Sequence, residues 1–275
     1  MAIELPARGL TVYTTQRGER GPLVLFVPGA GADHVGWGVV MRTLRDEIRA
    51  VAYDPRGTGR TRGDASQVGV EVLAGDLVAI VETLGEPVHV VAHSLGTRVA
   101  LEAGAVSGER IASLTLFSPW YRTDPYFLHQ AAMMQEIATR GDRRVAAQTL
   151  LWLLTSRALQ VEEPERFEQF LDAMFLSAAA TEWTTIVRQL RAGRESPVAD
   201  ATLDRVRVPV QVVVAEHDRM VDPAYSLALA RRMDAPVVRL TGPRASHLAH
   251  VEMPIPFADA VRAFLARVGE PVGHG

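Results

Sequence analysis

The chain has 275 residues, 48% of them hydrophobic and 22% charged, with a net charge of −3; it is long enough for one large α/β domain or two small ones, and its charge offers nothing to nucleic acid or an anionic membrane. It contains no cysteine, and all 29 basic residues are arginine. These absences exclude disulfides, thiolate nucleophiles, cysteine-held metal, Schiff-base lysines and a G-K-[ST] phosphate loop.

The start, MAIELPARGLTVY, lacks the basic region and apolar run of a signal peptide. No apolar run approaches the roughly 18–20 residues that span a bilayer; LLWLL at 150–154 is far shorter. A cytoplasmic protein is expected. Short apolar runs predict strands at 10–15, 23–27, 49–54, 88–93, 111–118, 208–215 and 236–241. VLFV and VVV are apolar at every position, as strands buried on both faces require. Apolar residues at i, i+3, i+4 spacing predict helices at 70–84, 95–106 and 254–268. The alternation predicts an α/β fold, a mostly parallel twisted sheet with helices on both faces.

The alternation stops between Tyr121 and Arg194. There FLHQAAMMQEIATR, AAQTLLWLLTSRAL, PERFEQFLDAMFLSAA and TEWTTIVRQLRAG are all helical patterns. The expected organisation is a core of residues 1–120 and 195–275 with a helical insertion at 121–194.

In AHSLG, at 92–96, Ser94 stands between Ala92 and Gly96, where a greasy strand turns at once into a helix. Such a corner strains the turn residue and crowds its neighbours, so only small flanking residues fit. The positive end of the new helix points at the hydroxyl. That suits a nucleophile whose attack creates an oxyanion; a plain helix-capping serine is the alternative. A serine nucleophile needs a base, an orienting acid and an oxyanion hole. PGAGAD follows the strand at 23–27, where Gly29 and Gly31 allow close approach to a ligand. The N–H groups of Ala30 and Leu95 are the expected oxyanion donors. EHDRMVDP follows the strand at 208–215 and offers Glu216, Asp218 and Asp222. Asp222 precedes Pro223 and reads as a helix N-cap, so Asp218 is preferred. GPRASHLAHVEMP offers His247 as the base, with His250 as its rival. The other histidines have blander readings: His34, His129 and His274 as surface or loop groups, His89 in a strand, His93 as the elbow's variable residue, and His217 beside the acid.

Taken together, PGAG, DPRGTGRT, AHSLG and the pair EHDRMVDP and SHLAHVEMP resemble the α/β-hydrolase superfamily over nearly the whole chain. The order Ser, acid, His is that of this fold. The chain departs from the family pattern at Pro28, where His is usual, and at Ala92, Ala215 and Ser246, where Gly is frequent. The resemblance implies hydrolysis of a small to medium organic ester or lactone through an acyl-serine intermediate. Ser94 would be the nucleophile, His247 the base and Asp218 its orienting acid. It implies no metal and no cofactor, a small-molecule partner, and a helical lid over Ser94. Gly29, Trp120, Met133, Trp152, Met174 and Trp183 are substrate-pocket candidates, with Met134, Phe170 and Phe175 beside them; for most of the lid residues packing between helices is the preferred reading, and Trp120, after a strand at the carboxyl edge of the sheet, has the better claim. Carbon–carbon bond hydrolysis, cofactor-free lyase, cyclase or perhydrolase chemistry, and a receptor role are the alternatives on the same fold. Oligomeric state is not legible.

Overall fold

A computed structural model describes residues 2–140, 142–180, 183–195 and 197–269, with the backbone alone for 173–180 and Trp183. The continuously apolar strands lie where two cores meet. Leu23, Leu25 and Val27 pack to one side of the sheet, and Val24 and Phe26 to the other. Helices Val70–Leu84, Leu95–Val106 and Pro223–Arg232 cover the first face; Gly38–Thr43 and Pro254–Gly269 cover the second.

The strands are β1 (Ala2–Leu5), β2 (Leu10–Arg17), β3 (Leu23–Val27), β4 (Arg49–Tyr53), β5 (Arg62–Gly63), β6 (Val88–His93), β7 (Ile111–Phe117), β8 (Val210–Ala215) and β9 (Val237–Leu240). Their order is β1-β2-β4-β3-β6-β7-β8-β9, with β5 paired to β2. From β4 to β9 every pairing is parallel; β1 and β5 join β2 antiparallel, as β2 joins β4. The mostly parallel sheet expected from the alternation is present. β1 and β5 were not foreseen: four and two residues are too few to display a period.

Between β7 and β8 lie helices Pro125–Arg140, Arg143–Leu154, Arg157–Glu162, Pro164–Ala180, Trp183–Glu195 and Asp200–Arg205, with no strand among the described residues. The single helical pattern expected over 146–159 is two helices. Thr155 Oγ donates to Leu151 O at 2.7 Å and closes the first. Ser156 Oγ accepts the Leu159 N–H at 2.9 Å and opens the second. Short hydroxyl side chains favour such local bonds over helix continuation.

The strand order reverses at β3, whose successor β4 lies on one side while β6 lies on the other. At such a switch point the loops leaving the carboxyl ends diverge and leave a crevice. The loop beginning at Pro28 leaves β3 there, and Ser94 leaves β6.

Candidate active site

Ser94 has φ 52° and ψ −122°, a region that costs a non-glycine residue about 1–3 kcal/mol. Its backbone is held at both ends. Ser94 N–H donates to Phe117 O at 3.0 Å, and Thr97 donates to Ser94 O through its N–H at 2.9 Å and its Oγ at 2.6 Å. The small flanking residues are explained by the approach of the β3 loop. A Cβ on Gly96 would lie 2.5 Å from Pro28 O; one on Gly29 would lie 3.2 Å from Ser94 Cβ. The Ser94 side chain makes no helix-capping bond, so the capping alternative does not hold.

His247 and Asp218 are both buried, and His247 Nδ1 lies 2.8 and 3.0 Å from the two Asp218 oxygens. Ser118 Oγ donates to Asp218 Oδ2 at 2.6 Å, and the N–H groups of Met220 and Val221 donate to Oδ1 at 2.9 Å each. Every partner can donate, so the carboxylate is fixed in position and orients the ring. The rival acids serve elsewhere. Asp222 caps helix Pro223–Arg232 by accepting the Ala224 N–H at 2.8 Å, and Glu216 accepts the Gly242 N–H at 3.1 Å. Sequence reasoning missed Ser118. Its positive φ of 53° belongs to the strand end, and a lone serine there carries no distinguishing signal.

The rival histidine differs from His247 in its partners. His250 is buried and its Nδ1 has no hydrogen-bond partner among the described residues. Burial first, then the neighbouring His247, pushes its pKa down to about 3. His93, read as the elbow's variable residue, has a positioning role: its Nε2–H donates to His247 O at 3.0 Å. Burial, His247 and His250 hold it well below the ordinary histidine value. Its ring lies 4.5 Å from His247 and 4.6 Å from His250. His34 is not a plain loop group, since its Nδ1 lies 2.6 Å from the buried Asp54. Asp33, His34 and Asp54 bring potential metal ligands within 4.8 Å of one another. Yet Asp54 already accepts the N–H groups of His34 and Arg60, and Asp33 caps Val35 N–H. These bonds account for the cluster as loop architecture.

Ser94 and His247 open onto one cavity of about 500 Å³, which Gly29, Ala30, Leu95 and Trp120 also line. Neither the Ala30 nor the Leu95 N–H bonds to a described residue. Gly31 N–H, by contrast, donates to Gln189 Oε1 at 2.7 Å. Among the described residues the Ser94 hydroxyl has no hydrogen-bond partner; in unliganded sites such bonds are often long and tighten when substrate binds. Phe127, Met134, Phe170 and Ile186 face the cavity from the helices. Met133 and Trp152 do not: they are 52% and 53% exposed. Met134 points inward, so its neighbour, about 100° around the helix, points out. Trp152 lies on the surface under the Arg219 guanidinium, 4.7 Å from its ring. The side chains of Met174, Phe175 and Trp183 lie outside the described residues, as does His274.

The acid and base loops are also tied to the helices. Glu252 accepts from Ser156 N–H, Ser156 Oγ and Ser246 Oγ. Leu248 N–H donates to Leu154 O at 3.1 Å. Arg219 donates to the carbonyls of Trp152 and Thr155.

Residues 24–260 match the alpha/beta hydrolase family. The chain belongs to it. A protein of Agrobacterium fabrum provisionally named carbamate hydrolase RutD is 31% identical over 213 residues, 76% of this chain and 80% of that one. The pyrrolizixenacetamide deacetylase of Xenorhabdus hominickii is 25% identical, covering 90% of this chain and 91% of its own. A thermophilic esterase of Thermogutta terrifontis superposes with a TM-score of 0.81 at 25% identity over 95% of both chains. The enol-lactonase of Burkholderia xenovorans, at 21% identity and a TM-score of 0.80 over 94% of this chain and 97% of that one, shares the fold.

In this alpha/beta hydrolase two of the departures from glycine have defined surroundings. Ala92 is fully buried in the core beneath the elbow. Ser246, where glycine is frequent, donates to Glu252 and accepts the Leu248 N–H at 3.1 Å. The DPRGTGRT stretch is a fastening. Arg56 pairs with Asp76 through Nε at 2.8 Å and Nη2 at 2.7 Å. A Cβ on Gly59 would fall 2.2 Å from Asp54 Oδ2. No described helix is long and apolar enough to cross a membrane.

Proposed function

We propose that this alpha/beta hydrolase cleaves an ester or lactone through an acyl-serine intermediate. The reading is carried by one observation: a serine in a strained backbone state at the sheet's switch point shares a cavity with a histidine whose far nitrogen is bonded to a buried carboxylate. His247 Nε2 takes the Ser94 proton as Oγ attacks the carbonyl carbon. Asp218 keeps the other ring nitrogen protonated and stabilises the imidazolium. The Ala30 and Leu95 N–H groups bind the tetrahedral oxyanion; losing one such donor costs about 10²–10³ in turnover. The protonated imidazole then passes its proton to the leaving oxygen. Water, deprotonated by the same ring, releases the acid and restores the serine. Residues 121–194 act as a lid over a core of residues 1–120 and 195–275, and the apolar helix side of the cavity suits a small to medium organic substrate.

A carbamate or amide is the second reading, favoured by the names of two relatives. The site accommodates it without change, since the same imidazole can protonate a leaving nitrogen.

A fluorophosphonate probe tests the mechanism, and a panel of p-nitrophenyl esters, lactones and carbamates tests the bond. Wild type should label at Ser94 and lose both labelling and turnover in Ser94→Ala. Turnover that survives the substitution would reject the nucleophile; turnover without an acyl-enzyme would point to the lyase alternative.

A further inference from the structure

Arg98 lies on helix Leu95–Val106, four residues after Ser94, and is fully buried. Its Nη1–H donates to Gly193 O at 2.7 Å. Its Nε and Nη2 have no hydrogen-bond partner among the described residues, and neither has the indole nitrogen of Trp120. The Arg98 guanidinium carbon lies 5.2 Å from the centre of the Trp120 ring. Glu102, one turn further on, is the acid whose charge acts on Arg98, but its carboxylate accepts from Thr202 Oγ at 3.4 Å. Among the described residues no salt bridge joins Arg98 to Glu102 or any other acid, and a buried cation without one is costly. A positive charge near a helix N-terminus adds to that cost. The three orphan groups are all donors, and what they lack is an acceptor.

Trp120 and Gly193 form part of the cavity wall. Gly193 and Trp120 lie side by side in that wall: a Cβ on Gly193 would make ordinary van der Waals contact with Leu95 Cδ1 at 3.4 Å and Trp120 Cζ2 at 3.5 Å. The guanidinium therefore stands directly behind the cavity surface, on the helix that carries Ser94. On the cavity side no Asp or Glu is present among the described residues, whereas Arg42 and Arg194 are. Arg194 is offset by Glu195 at 2.7 Å. Buried water can satisfy orphan donors, but it cannot neutralise a charge. Low-dielectric walls focus the field of such a charge into the cavity they enclose.

We infer that the cavity takes an anionic substrate, whose acyl arm carries a carboxylate laid against the Trp120–Gly193 wall with the buried Arg98 as its counter-charge. The inference rests on the hydrolase reading above and names the substrate class of that site.

The test compares mono-p-nitrophenyl glutarate with p-nitrophenyl valerate, which differ by a terminal carboxylate against a methyl. Wild type should favour the anionic ester at least tenfold in kcat/KM. The ratio should fall toward one in Arg98→Met and be largely retained in Arg98→Lys. Equal or poorer use of the anionic ester by wild type overturns the inference, as does a preference that Arg98→Met leaves intact. If Arg98→Met does not fold, the wild-type ratio and Arg98→Lys decide. If wild type turns over neither ester, the lactone and carbamate panel decides the hydrolase reading separately. Calorimetric titration with glutarate then decides on the anion site: binding supports it, and no binding removes it.

Discussion

The two walls of the cavity are built in different ways. On the sheet side, geometry is set by directed bonds. Ser94 is held by Phe117 O and Thr97, Asp218 by Ser118 and two backbone N–H groups, and His247 by Asp218 and His93. On the helix side, Phe127, Met134, Phe170 and Ile186 meet the cavity with apolar surface, and Gln189 Oε1 accepts one bond from the Gly31 N–H. Directed bonds fix atoms to the tolerance that bond-making chemistry needs. Apolar contact fixes volume, which chooses among substrates. The proposed reaction belongs to the first wall and much of the selectivity to the second.

Substitutions on the sheet side should therefore act on turnover, and those on the helix side on binding. The largest effect is expected for Ser94→Ala, a fall in kcat of about 10⁶ judged from other serine hydrolases; a residual rate only tenfold below wild type would break the division of labour. Asp218→Asn should lower kcat by about 10⁴, since the ring would take the wrong tautomer. Steady-state kinetics with KM nearly unchanged would confirm that loss.

A third effect concerns acid stability and again belongs to the sheet side. An unfolded histidine titrates near 6.5, while burial and then His247 bring folded His250 to about 3. Between these values the unfolded chain binds a proton that the folded chain does not. The corresponding stability is present in full above pH about 6.5 and lost as pH falls, by about 1.4 kcal/mol per unit. In His250→Phe, urea titrations between pH 6 and 4 should show a slope shallower by about one proton; an unchanged slope would mean the group is charged in the folded state. The smallest effects should come from a neighbouring pair on the helix side. Met134→Ala, which enlarges the cavity, should raise KM about three- to tenfold with little change in kcat. Met133→Ala, on the exposed side of the same helix, should leave both constants within about a factor of two.

The same contrast explains what is legible in the amino-acid sequence alone. The strands at 23–27 and 88–93 and the helices at 70–84 and 95–106 appear with the expected bounds, because burial on two faces or one leaves a strong periodic trace. Asp218 could be preferred over Asp222 because a proline after an acid marks an N-cap, and the Asp222–Ala224 bond is that cap. Ser118 and His93 were not singled out for roles. Their parts depend on which loops meet across the sheet ends, at separations of 100 and 154 residues, and no local pattern records that. On the helix side Met133 and Trp152 were misplaced because the heavy residues in these helices form no single clear stripe. Which of two adjacent methionines faces inward is decided by packing between helices distant in the chain.

The Glu252 carboxylate has a mechanical consequence. With the bonds from Leu248 and Arg219, it rivets the middle of the helical segment, at 152–156, to the strand loops that carry His247 and Asp218. A flap swinging on its two chain ends alone would have to tear that rivet out. Helix Pro125–Arg140 is fastened to the acid loop as well, through the 2.8 Å bond from Gln130 Nε2 to Arg219 O, so displacing this side of the cavity as one piece would drag on the loops that hold the imidazole and its carboxylate.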